Sequence, residues 1–261
     1  MKAWSYENEQ WTKLPPYLKH LPLFTRHLDL TSIFFRYLWA FYLQDFVFKY
    51  YVRLNVQGES WHEIYKKHPK LLIISNHASH VDATSIAASI PKRYWLDLYI
   101  AAAKDYFFSN PFFMFFSQHC LGAIPIDRKD KKGEAINLIL RLLTELPRMW
   151  LILFPEGTRS PDGKIHDFKK GVSIFAEKTQ TPILFLFIEG NTKIMPKGKN
   201  LARPGKLTIH VGPVHPPGPI EIVYQAYKAW VKTIAPTAFA DDARVIVEES
   251  TAPEEENESE N

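Results

Sequence analysis

Cysteine is almost absent from this chain: Cys120 is the only one in 261 residues. A lone thiol closes no internal disulfide and builds no cysteine cage for zinc, so a reducing compartment is expected. Three familiar signatures are missing too. There is no G-x-S-x-G elbow for a serine nucleophile, no Walker A sequence and no G-x-G-x-x-G. No internal repeat is visible. The first twenty residues are polar and aromatic, without the apolar core and small-residue cleavage site of a secretory signal.

A hydrophobic fraction of 46% supplies enough core for one globular domain with small appendages. That excludes a wholly disordered chain, a collagen-like repeat and a disulfide scaffold. The net charge of +4 hides an asymmetry. Residues 241–261 hold nine acids and one base, a balance of −8, which leaves +12 on the other 240 residues. So basic a body favours anionic partners: phosphates, nucleic acid or an acidic membrane surface.

Thr31 to Tyr51 carries ten aromatic residues, interrupted by Arg36, Asp45 and Lys49. A spanning helix needs about 20 mostly apolar residues, and a charge at mid-membrane is costly. This segment is expected to lie in the membrane interface, where aromatic rings and basic side chains are both stable. A buried helix packed on the main domain is the plainer alternative. A second aromatic run, Phe107-Phe108 and Pro111 to Phe116, sits beside it or in the core.

From Leu71 onward, short apolar runs alternate with helical patterns, which predicts an α/β fold: a mixed, largely parallel sheet flanked by helices. The expected strands are 71–74, 99–102, 123–126, 150–154, 183–188 and 207–211, with Pro125 placing the third at an edge or a bulge. Ile136, Ile139, Leu140, Leu143 and Leu146 form one helical face, and Val223, Tyr227, Trp230, Val231 and Ile234 another. The expected organisation is a membrane-associating helical segment over 1–70, a catalytic α/β domain over 71–235 and an acidic, solvated tail over 236–261.

Three of these strands run into dense polar clusters: Ser75 to Asp82, Asp127-Arg128-Lys129, and Pro155 to Ser160. Ligands of open α/β sheets bind beyond the carboxyl ends of strands, so the clusters point to one shared site. His77 would leave its strand on a turn, and Asp82 would open the next helix. A carboxylate there can bond one imidazole nitrogen and leave the other free as a base. Plainer readings stand beside this: Asp82 as a helix cap, His77 as a turn histidine. A third is metal binding by His77, His80 and Asp82. Arg128 and Arg159 follow strands closely and offer planar forks for phosphate. Lys104 is a third fixed cation. Glu156 can pair with an arginine or accept a hydroxyl, Gly157 admits close backbone approach, and Thr158 adds a hydroxyl. Lys129, Lys131, Lys132, Lys169 and Lys170 read as a looser basic rim.

Asn76-His77-Ala78-Ser79-His80-Val81-Asp82 resembles the N-H-x-S-x-x-D motif of the PlsC-type glycerophospholipid acyltransferases, the 1-acylglycerol-3-phosphate O-acyltransferase family. Gly122 to Arg128 resembles the second motif of that family, and Phe154 to Ser160 its third, F-P-E-G-T-R-S. Ala103-Lys104 followed by Pro111-Phe112 is similar to the intervening lysine segment. The fourth motif is represented only by Thr181-Pro182-Ile183.

The resemblance implies acyl transfer from acyl-CoA or acyl-carrier protein to a lysophospholipid hydroxyl, with His77 as base and Asp82 orienting it. It implies that Lys104, Arg128 and Arg159 hold the acceptor phosphate while Glu156, Gly157 and Thr158 shape the pocket. No cofactor or metal is implied beyond the acyl donor, and no nucleic acid. The partners are the lipid acceptor, the donor and an anionic membrane surface, met peripherally from the cytoplasmic face.

Overall fold

The structure is a computed structural model that describes residues 30–103, 111–126, 134–195 and 201–241. Seven strands form one sheet: β1 (Leu54–Gly58), β2 (Lys70–Ile74), β3 (Leu98–Ala103), β4 (Ala123–Ile126), β5 (Met149–Leu153), β6 (Ile183–Glu189) and β7 (Leu207–His215). Their spatial order is β1-β7-β6-β2-β5-β3-β4. β2 to β6 run parallel, β7 is antiparallel to β6, and β1 is parallel to β7. The expected mixed, largely parallel sheet is what forms. β4 is an edge strand, where Pro125 costs no ladder bond on its open side.

Strand alternation sorts the core into two layers. Leu71 and Ile73 of β2 face one side with Trp150, Ile152, Leu184 and Leu186. Leu72 and Ile74 face the other with Leu151, Leu153, Ile183 and Phe185. The first face is covered by α1 (Leu30–Tyr42), a π-helical continuation (Leu43–Tyr51), α2 (Trp61–Lys67) and α3 (Asp82–Ser89). The second is covered by α5 (Glu134–Glu145), α6 (Gly171–Thr179) and α8 (Ile220–Lys232). The short α4 (Pro111–Phe116) and α7 (Asn191–Ile194) complete the described α-helices. Each fully buried Leu, Ile or Phe contributes about 1.5–3 kcal/mol, so both faces are needed.

Two domain boundaries differ from expectation. β1 and α2 lie before residue 71, yet β1 pairs with β7 and Trp61 and Ile64 enter the core. β1, Leu-Asn-Val-Gln-Gly, has no apolar run to mark it in the sequence; it is an exposed edge strand. At the other end, Phe239 is fully buried and bridges to Ile165, so packing continues past Pro236. Beyond Asp241 the acidic tail lies outside the described residues.

The aromatic segment is docked on the domain and outward-facing at once. Arg36 enters the interior, where its guanidinium donates to the carbonyls of Trp95 (2.6 Å) and Leu98 and lies over the Tyr99 ring. Gly122 makes this entry fit: its φ is +61°, and a β-carbon there would stand 2.6 Å from the guanidinium. Phe35 packs on Phe115 and Trp39 on Phe116, so the two aromatic runs are neighbours. Phe34 (61% exposed), Phe46 (51%) and Phe112 (73%) face outward. No helix among the described residues is long and apolar enough to cross a membrane.

Candidate active site

Past Ile74, β2 separates from β6 and the chain turns. Asn76 supports the separation. Its side chain donates to the Ile188 carbonyl (3.0 Å) and accepts the Ile188 N–H (2.8 Å). The Asn76 N–H donates to the hydroxyl of Tyr227, which in turn donates to the Leu186 carbonyl at 2.8 Å. A side-chain amide and a phenol from α8 thus replace the backbone ladder where the strands diverge.

His77 follows directly. Its Nδ1 is 2.9 Å from Oδ2 of Asp82, a carboxylate with no exposed surface. The same oxygen accepts the N–H groups of Ala78 and Ser79, each at 2.8 Å. Oδ1 accepts Nδ2 of Asn191 at 2.9 Å. Asp82 opens α3 but does not cap it; its bonds run backward into the turn and sideways to α7. Three donors therefore hold one carboxylate, and that carboxylate holds one imidazole nitrogen. The imidazole lies flat on the Phe154 ring, 4.0 Å between centroids and 16° between planes. Nε2 is the remaining nitrogen of a side chain that is 20% exposed. With the proton on Nδ1, Nε2 is left as an acceptor, an arrangement that can serve as an oriented base.

The turn after β5 docks against this one. Glu156, only 4% exposed, accepts the backbone N–H of His77 (2.8 Å) with one oxygen and that of His166 (3.2 Å) with the other. Burial pushes its pKa up to about 7, against the opposing pull of those two N–H bonds. The Ser160 N–H donates to the His77 carbonyl at 2.7 Å. Both backbone polar groups of His77 are thereby fixed by the third motif. Glu156 is turned inward on backbone amides. Gly157 sits at φ +71°, and Gly157 and Thr158 are exposed beside the half-buried Arg159. Burial first, then the charge of Arg159, lowers the pKa of His80. Arg159 precedes Ser160, whose N–H holds the His77 carbonyl, so the arginine stands one residue from the histidine turn.

Of the expected site residues, the structure brings together His77, Asp82, Glu156, Gly157, Thr158 and Arg159. Lys104 and Arg128 lie outside the described residues. Among the described residues, no group of three or more His, Cys, Asp or Glu converges as metal ligands. Sequence reasoning passed over Asn191, the clamp on Asp82. Its signal was available: Asn191 follows the carboxyl end of β6 through Gly190 (φ +89°), the location that marked the other three clusters. Tyr227 was visible only as part of a helix face.

A model of the family described as "Acyltransferase" matches residues 53–189, just over half of the chain. A 1-acyl-sn-glycerol-3-phosphate acyltransferase of Limnanthes alba is 30% identical over 167 residues, which cover 62% of this chain and 54% of that protein. The chloroplastic enzyme of the same name from Brassica napus is 35% identical over 79 residues, 30% of this chain and 23% of its own. These matches span from about a fifth to about half of the relatives' length. In fold, the chain is similar to the crystal structure of the 1-acyl-sn-glycerophosphate acyltransferase PlsC from Thermotoga maritima. The TM-score is 0.56 at 24% identity, over 77% of this chain and 73% of that one.

Proposed function

The chain belongs to the acyltransferase family, and we propose on that premise that it moves a fatty acyl group from acyl-CoA or acyl-carrier protein to the free hydroxyl of 1-acylglycerol-3-phosphate, giving phosphatidic acid. The observation that carries this reading is the His77–Asp82 pair, with Nδ1 tied to a buried carboxylate and Nε2 left over.

In this reading Nε2 takes the proton of the acceptor hydroxyl as its oxygen attacks the thioester carbon. Asp82 holds the tautomer and stabilises the imidazolium. As the tetrahedral intermediate collapses, the C–S bond breaks and the imidazolium returns its proton to the departing thiolate. No acyl-enzyme forms, which fits a chain without a serine elbow. Positioned base catalysis contributes about 10²–10⁴ in rate. Arg159, with Lys104 and Arg128, binds the acceptor phosphate; Gly157 and Thr158 border it. Fixing the acceptor by its phosphate raises the effective concentration of the hydroxyl. Glu156 acts through His77 as a positioning residue.

The outward rings of α1, the π-helical segment and α4 rest in the membrane interface at an anionic surface, on the cytoplasmic face where the donor is soluble. The exposure of Leu30 (81%), Phe34 (61%), Tyr50 (69%) and Phe112 (73%) supports a peripheral or monotopic attachment.

The test is an acceptor screen with radiolabelled acyl-CoA and acyl-carrier protein, comparing wild type with His77→Ala. Labelled phosphatidic acid from wild type and a loss of about a thousandfold or more in the variant are expected. Equal turnover by His77→Ala removes the base assignment. A wild type that binds anionic vesicles but acylates nothing identifies a lipid-binding protein instead.

A further inference from the structure

Lys169 stands in the sequence as one of several loose lysines on a basic rim. The fold gives it a specific address. Its backbone N–H donates to the Pro155 carbonyl at 2.8 Å, which fastens residue 169 to the turn of the third motif. Its side chain then runs back over Gly157. A β-carbon on residue 157 would stand 2.9 Å from both Cδ and Nζ of Lys169. The missing side chain of Gly157, whose φ is +71°, is the space that this lysine fills.

The turn links the ammonium to the base. The Gly157 N–H donates to the Phe154 carbonyl at 3.0 Å, and the Phe154 ring is the platform under His77. Lys169 is exposed, and among the described residues no carboxylate pairs with it. Ordering a lysine side chain costs conformational entropy, and a strongly hydrated point charge is held in one place most readily by an anion.

We propose that Lys169 is a phosphate-recognition residue: its ammonium, laid across Gly157, binds a phosphate monoester at the mouth of the His77 site. This rests on the acyl-transfer reading for its substrate but not for its test. Two substrates supply the chemistry, the phosphate of the lysophospholipid acceptor and the 3′-phosphate of coenzyme A.

The variants are Lys169→Met, which keeps the stem and removes the charge, and Lys169→Arg, which restores it. The first readout is calorimetric binding of sn-glycerol 3-phosphate. Lys169→Met should weaken it about tenfold and Lys169→Arg should recover most of that, with thermal unfolding unchanged in both. The second readout is selectivity. In the acceptor arm, kcat/KM for 1-acylglycerol-3-phosphate over monoacylglycerol should fall about tenfold in Lys169→Met. In the donor arm, the compared ratio is acyl-CoA over acyl-dephospho-CoA. A fall in the acceptor ratio assigns Lys169 to the lipid; a fall in the donor ratio assigns it to coenzyme A. Equal affinity for glycerol phosphate with both ratios unmoved overturns the proposal. A wild type inactive on every acceptor ends the acyl-transfer reading, and the binding measurement still decides Lys169.

Discussion

The aromatic helix and the histidine turn solve opposite problems. Over Leu30 to Tyr51 large apolar rings face outward while a single cation, Arg36, is buried. From Ser75 to Asp82 most polar groups are buried, and the imidazoles of His77 and His80 are only partly exposed. Exposed apolar surface is tolerated where another surface covers it. Buried polar atoms are tolerated where each has a partner. The first region is therefore incomplete by itself and the second is closed on itself, which is why one domain can hold the His77 turn rigidly and still carry an outward apolar face.

The contrast breaks most severely at Asp82. Asp82→Asn keeps the shape but places an amide N–H₂ where N–H donors converge. We expect kcat to fall about a thousandfold while vesicle binding is retained. Parallel loss of both would mean that the two regions are not separable. Next in size is the outward face. Phe34→Ser with Phe41→Ser should weaken partition into anionic vesicles about a hundredfold. Turnover of a short-chain, water-soluble acceptor should persist, and a matching loss there would show that these rings support the site instead. The smallest effect sharpens the interior half. Because burial raises the Glu156 pKa from 4.5 to about 7, the folded protein keeps a proton that the unfolded chain releases. That contribution to stability is full below about pH 4.5 and is lost as pH rises through about 7. Its size is on the order of 3 kcal/mol. Glu156→Gln should flatten this part of the stability-against-pH curve measured by urea unfolding. An unchanged slope would mean that other titratable groups carry it.

The α/β frame was legible because it rests on local patterns. Near-continuous apolar runs such as 71–74 and 150–154 fit strands covered on both faces, and Pro125 marks its strand as an edge. β1 was illegible because an exposed edge strand needs no apolar run; its pairing with β7 is a property of the closed sheet. Within the site, His77 and Asp82 were readable because five positions of sequence separate them. The Asn191–Asp82 bond spans 109 positions and the Asn76–Tyr227 bond 151. No periodicity encodes contacts of that range. Arg36 shows the same limit: as a charge in an aromatic helix it looks like an interruption, and only the cavity at Gly122 reveals it as an anchor.

The amide of Asn76 has one further meaning. A chain that leaves a sheet abandons a carbonyl and an N–H on the strand it leaves behind. Carboxamide is the side-chain group that mimics a peptide bond, offering one donor and one acceptor side by side. Aspartate could not donate to Ile188, and serine is too short to engage both groups. The identity of the residue before His77 is thus dictated by a neighbouring strand rather than by any reactant, and a requirement for asparagine there would persist in a protein that had lost its activity but kept its shape.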